Sequence, residues 1–229
     1  MGRNHSLKIV TNSITGCFDA ENPKLGTPEI LDLVHQQPVG GNQIKMIVEN
    51  AVSYSSTTPK YYTFDGIWTT GTSAYVQSYP NFVSNPTTDF TLEIMLRPTN
   101  LTGLHAICSD IGSAEYTFMF NTNQLGIQNS SYILSLFSTP STLTTNKWYH
   151  IVFTNSSSTL AAYCNGIPQG SISGSFTNGD IGLWAIGTDA LGYVDPFVGN
   201  FSFFRSYSKI LSAAEIQQNF NATRGRFGI

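Results

Sequence analysis

From residue 90 onward the chain alternates apolar and polar positions in short segments separated by turn residues. In "FTLEIMLRP", Phe90, Leu92, Ile94 and Leu96 fall on one face and Thr91, Glu93, Met95 and Arg97 on the other, the period of a strand with one buried side. "HAICSDIG", "YTFMFNT", "QLGIQNS", "YILSLFS", "KWYHIVFTNSS", "TLAAYCNG", "IGLWAIGT" and "FVGNFSFFRSYS" follow. Repetition of this kind predicts an antiparallel sandwich or barrel. "NSSST" and "NGIPQG" supply hairpin or turn connections. The first 60 residues are less regular: "CFDAENPK" opens strand-like and breaks at Pro23, and "TPEILDLV" offers at most a helical turn. "YYTFDGIWTTGTSAYVQS" then reads as two strands around a glycine-containing turn. No linker or shift of composition divides residues 1–229, which read as one domain.

The end of the chain leaves the two-residue period. In "SKILSAAEIQQNFNATRGRFGI", Ser212 and Glu215 have the spacing of a capping box, and Leu211 and Ile216 that of a hydrophobic staple. Ile216 and Phe220 share a face at i, i+4. This predicts a helix over about 212–222, followed by a tail at 223–229. So short a helix is marginal alone in water, so it is expected to dock on the sandwich through Leu211, Ile216 and Phe220.

Composition narrows the function. Charged residues are 11% of the chain and aromatics 13%, against about 25% charged in soluble domains generally. The surface is therefore rich in uncharged hydrogen-bonding groups. A net charge of −3 argues against a nucleic-acid partner that needs a broad positive field. The N-terminal stretch lacks the apolar run of a secretory signal, and no segment approaches a membrane span, so no membrane partner is expected. Cys17, Cys108 and Cys164 are odd in number and widely spaced. They suit neither a disulfide framework nor a zinc site and read as buried thiols.

In order along the chain, "YTFDG", "AYVQS", "FTLEIMLRP", "KWYHIVFT", "AAYCNGIPQG" and "GNFSFFRSYSKILSAAEIQQNF" resemble concanavalin A-like, laminin-G-like jelly rolls over roughly residues 14–222. The resemblance implies an all-β, antiparallel two-sheet jelly-roll sandwich with a helix packed near its edge. "CFDAENPK" and "AAEIQQNFNATRGRFGI" further resemble laminin-G-like structural proteins of tailed bacteriophages, particularly those of marine and cyanobacterial hosts. That second resemblance implies a non-enzymatic virion structural protein, synthesised in the host cytoplasm. It would be displayed on the particle exterior as a capsid decoration or tail component. Its partners would be other virion proteins, with many copies per particle and a homo-oligomer as one arrangement. The alternative is a glycan-binding, lectin-like module or adhesin that recognises host surface carbohydrate.

Glycosidases of this superfamily work through two carboxylates about 5–10 Å apart. Here Glu93 stands alone between Thr91 and Met95, and is expected to be a surface partner of Arg97 or of a neighbouring strand. "GSISG" has Ile172 where a nucleophile elbow needs serine. The histidines lack metal-ligand spacing, and His150, alternating with Trp148 and Val152, reads as a packed or hydrogen-bonded core residue. No catalytic residue, cofactor or resident metal is therefore expected. For binding, the loop "GDIGLWAIGTDALGYVDP" brings Trp184, Asp189, Tyr193 and Asp195 close in sequence. Trp184, Asp189 and Tyr193 are the candidate glycan contacts. Some relatives hold calcium, to which Asp110, Asp180, Asp189 or Asp195 could contribute, without a dense oxygen-ligand motif. The competing reading packs Trp184 in the sandwich and uses the aspartates in turns. Arg205, Lys209, Arg224 and Arg226 are four of the eleven basic residues, and Arg224, Arg226 and Phe227 of the tail are the candidate assembly contacts.

Overall fold

Alternation becomes two antiparallel sheets facing one another across an aromatic core. The computed structural model describes residues 8–21, 29–31, 45–49, 52–66, 75–79, 89–110, 116–129, 134–138, 143–174, 184–188 and 195–229. The early strands are β1 (Ile14–Asp19), β2 (Glu29–Leu31), β3 (Lys45–Glu49), β4 (Ser53–Ser55), β5 (Tyr61–Asp65) and β6 (Tyr75–Tyr79). The middle of the chain gives β7 (Phe90–Pro98), β8 (Leu104–Asp110), β9 (Tyr116–Asn121), β10 (Gln124–Asn129) and β11 (Leu134–Leu136). There follow β12 (Tyr149–Asn155), β13 (Thr159–Cys164), β14 (Ile167–Ser173), β15 (Trp184–Ile186), β16 (Val198–Tyr207) and the helix α1 (Ala213–Phe227).

The front sheet runs β14-β13-β12-β7-β16-β5-β4, with β1 also on β16; the back sheet runs β11-β10-β9-β8-β15-β6-β3-β2. The long strand β16 has β7 along one side and two partners on the other. Its first part, Val198–Phe201, pairs with β5, and Phe203–Tyr207 pairs with β1. An irregularity in register between Phe201 and Phe203 marks the changeover. It lets Phe201 and Phe204 both enter the main core while Phe203 joins a separate cluster on the other face.

Leu92, Ile94 and Leu96 of β7 and Ile151 and Phe153 of β12 meet Ile107, Phe118 and Phe120 of the back sheet in that core. The Phe118 and Phe153 rings stack across the sheets at 4.3 Å. Offset stacking of this kind adds to the area that both rings remove from water. All three cysteines are buried free thiols, and burial pushes Cys17 up to about 11 and Cys164 up to about 12.

The helix begins as its sequence requires. Ser212 Oγ accepts from Glu215 N, Glu215 Oε2 accepts from Ser212 N at 2.8 Å, and Leu211 and Ile216 pack in one cluster. It runs further than the expected 212–222, reaching Phe227. The apolar stripe Ile216, Phe220, Phe227 continues at helical spacing, and Gly225 lies where a Cβ would meet nothing. Gly228 then stops the helix in the left-handed region, at φ 69°, with its N–H on the Arg224 carbonyl.

Candidate functional site

The helix lies across the outer face of the front sheet and divides it into a covered part and an open part. The outward row of β7, Thr91, Glu93, Met95 and Arg97, passes from beneath α1 to beyond it. Thr91 Oγ1 donates to the Lys209 carbonyl at 2.8 Å and accepts from Leu211 N at 2.9 Å, fixing the approach to the helix. Met95 packs with Trp148, Phe203 and Phe227.

Glu93 sits fully buried at the centre of the covered part. Its Oε1 accepts from His150 Nε2 and Arg205 Nη1, both at 2.7 Å. Its Oε2 accepts from the Tyr207 hydroxyl and Asn219 Nδ2, both at 2.9 Å. A carboxylate only accepts, so His150 carries its shared proton on Nε2. Burial pushes the Glu93 carboxyl up, but the Arg205 charge and the hydrogen bonds from His150 and Tyr207 outweigh it and hold the group at about 2. Burial and the Glu93 charge together raise the Tyr207 hydroxyl. Of the expectation that Glu93 is a surface partner of Arg97 or of a neighbouring strand, the neighbouring strand holds, through Arg205 of β16, and the surface placement is corrected: once α1 covers this face, the polar side of β7 becomes a second interior. His150 is buried and hydrogen-bonded, as its alternation implied.

Such a carboxylate holds charge without exchanging it. It is ionised, sealed from solvent and surrounded by donors, so it offers no proton to a leaving group. Asn219 completes the arrangement from the helix side, its Oδ1 accepting from Val10 N at 2.7 Å.

The tail expected at 223–229 is instead the end of the helix as far as Phe227. Phe227 is buried on its own sandwich, 4.9 Å from the Trp148 ring and 6.1 Å from Phe203. Arg226 donates from Nη1 to Asp19 Oδ2 at 2.8 Å and from Nη2 to Ser202 Oγ at 3.1 Å. Arg224 is exposed, with Nε on the Ile229 carbonyl at 2.9 Å. The sandwich does use "RGRFGI", because the helix's apolar stripe is not finished until Phe227.

Beyond the helix the outer face opens. Arg97 is partly exposed there, its guanidinium carbon 5.1 Å from the Tyr61 ring centre and 5.4 Å from that of Trp148. The two rings meet at 5.8 Å, tilted by 60°. Arg97 Nε donates to Asn200 Oδ1 at 2.8 Å, and Asn200 Nδ2 donates to Thr63 Oγ1 at 2.8 Å. β5 contributes Tyr61 and Thr63, and β7, β16 and the segment entering β12 one member each. The sequence reading missed this grouping, because Tyr61 and Asn200 reach Arg97 only through strand pairing.

A family profile described as the concanavalin A-like lectin/glucanases superfamily matches residues 70–217. The chain belongs to that superfamily. The match runs from before β6 into the first turns of α1, taking in the core of both sheets. A comparison with curated protein sequences finds no match. Among solved structures, the superfamily fold recurs in domain 4 of AbnA, an extracellular arabinanase from Geobacillus stearothermophilus solved with arabinotriose. That structure is 16% identical with a TM-score of 0.63, over 90% of this chain and 98% of that one. The receptor-binding domain of botulinum neurotoxin type G is 15% identical with a TM-score of 0.61, over 92% of this chain and 51% of that one. The binding domain of botulinum neurotoxin DC in complex with SialylT is 16% identical with a TM-score of 0.65, over 92% and 51%. The chain spans about half the length of these toxin domains, and at such identities the likeness is one of fold.

For this concanavalin A-like chain, the candidate glycan loop is only partly described. The backbone of Trp184 belongs to β15, pairing with Asp110 of β8. Asp180, Asp189 and Tyr193 lie outside the described residues. Asp195 adopts φ 50°, and its carbonyl accepts from Ala106 N at 2.7 Å, a turn role. Among the described residues, no group of three histidine, cysteine or acidic side chains gathers to hold a metal.

Proposed function

We propose that the chain is a non-catalytic recognition module that binds carbohydrate. The observation that carries this reading is the fate of Glu93. The carboxylate on the outer face of β7 is ionised, engaged by four donors and covered by α1, which supports surface binding over catalysis by this residue. Support for carbohydrate as the ligand comes from fold neighbours whose structures hold arabinotriose and SialylT. The abundance of uncharged hydrogen-bonding residues is in keeping with it.

The proposed setting is the exterior of a tailed phage particle, with the protein held by contacts to other virion proteins. That setting rests on the resemblance of "CFDAENPK" and "AAEIQQNFNATRGRFGI", and mass spectrometry of purified virions checks it. For the module itself, the test is a glycan array read with purified protein, alongside an assay for released sugars. Selective binding without turnover is expected. Turnover abolished by Glu93→Gln in a folded protein would overturn the non-catalytic reading. A Trp184→Ala variant reports whether the loop contributes.

A further inference from the structure

We propose that the open end of the front sheet, at Arg97, Tyr61 and Trp148, is a binding site for anionic glycans. The sugar's carboxylate or sulfate would pair with the Arg97 guanidinium, and its ring would lie against Tyr61. This deepens the carbohydrate reading and rests on it. A guanidinium has five N–H donors in a planar fork suited to two-pronged pairing with an anion. Of these, Arg97 engages Nε, on Asn200 Oδ1. Arg205 and Arg226 each pair with a carboxylate of this chain, Glu93 and Asp19. Arg97 pairs with none among the described residues. Its position is set nonetheless: Asn200 is itself held by Thr63, and two rings flank the group.

The rings differ in role. Trp148 is buried and braced from behind by Phe227, so it is a fixed wall. Tyr61 is partly exposed, and aromatic rings are the kind of surface on which sugar C–H groups pack. The outward carboxylate further along β5, Asp65, is exposed at the margin. A fixed guanidinium with no carboxylate partner among the described residues, beside a partly exposed ring, favours a sugar that carries negative charge over a neutral one.

The experiment is calorimetry with trigalacturonic acid, its methyl ester and a heparin-derived tetrasaccharide. Wild type, Arg97→Gln, Arg97→Lys and Tyr61→Ala are compared at low and raised salt, with the melting temperature of each variant recorded. The acidic sugars should bind, and the uncharged ester should bind much more weakly. Arg97→Gln and Tyr61→Ala should each weaken acidic binding by about tenfold or more, Arg97→Lys by less, and salt should weaken it throughout. Equal binding of acid and ester, or acidic binding that survives Arg97→Gln, would overturn the inference and leave the carbohydrate reading standing. Failure of wild type to bind any glycan, on the array or in the cell, would sink both. A wild-type dimer in sedimentation that Arg97→Gln dissolves would assign the guanidinium to a second copy and overturn the inference as well.

Discussion

Glu93 and Arg97 lie four residues apart on the same face of the same strand, yet the sequence around each is put to opposite use. Under α1, Glu93 has every lone-pair direction answered by donors from β12, β16 and the helix. Past the end of α1, Arg97 is held in place through one nitrogen and faces outward with the rest. The difference shows that the face of a strand is made interior or exterior by what lies over it. Alternation alone does not decide the matter. A charge under cover is a structural element whose removal should be costly, and one in the open should be nearly free to remove.

The most severe way to break the comparison is to take away the cover. Truncation after Ser208 exposes the surfaces that Leu211, Ile216, Phe220 and Phe227 bury, at ~1.5–3 kcal/mol each. The sum rivals the entire stability of a typical domain, so loss of the cooperative urea transition is expected; an unchanged midpoint would mean that α1 does not dock. Next comes Glu93→Ala, which strands the Arg205 charge in the interior. A cost of about 3–5 kcal/mol is expected from denaturant melts, against less than about 1 kcal/mol for Arg97→Ala. Equal costs would erase the distinction between the two sites.

The same carboxylate gives a pH signature. Its folded value of about 2 lies below the ordinary 4.5. The stabilisation it contributes is therefore complete above 4.5 and is lost as pH falls towards about 2. Wild type should lose on the order of 3 kcal/mol across that window through this group. A melt series in which Glu93→Gln falls just as steeply would refute the assignment. Smaller than the loss of Glu93 is the effect of Ser212→Ala, which removes the cap and should cost about 1 kcal/mol, with the fold retained by circular dichroism.

Much of the fold was legible in the residues. Period-two alternation marked the strands from β7 onward, and Ser212 with Glu215 marked the helix start to the residue. The covered site was not, because Arg205, Tyr207 and Asn219 lie 112, 114 and 126 positions from Glu93. A signal was nevertheless present. Phe203, Arg205 and Tyr207 form the outward row of β16, and Met95 sits in that of β7, so apolar groups occupy a face that alternation assigns to water. A helix with Ile216, Phe220 and Phe227 on one side needed such a face. Counting those rows together would have sent Glu93 inside. Arg97, Tyr61 and Asn200 were harder to group, because only the registers of β16 with β5 and β7 align them.

The hydrogen bond between Val10 N and Asn219 Oδ1 spans 209 positions, and it has a consequence for biosynthesis. As the chain emerges from the ribosome, β7, β12 and β16 can pair in turn, but Glu93 and Arg205 wait for α1 before water leaves them. Until then Met95, Trp148 and Phe203, which Phe227 covers, are uncovered as well, so an unfinished sandwich carries an apolar face that can stick to its neighbours. The seal closes only when the last helix arrives, so the step that excludes water also reports that the whole length from Val10 to Phe227 has been made.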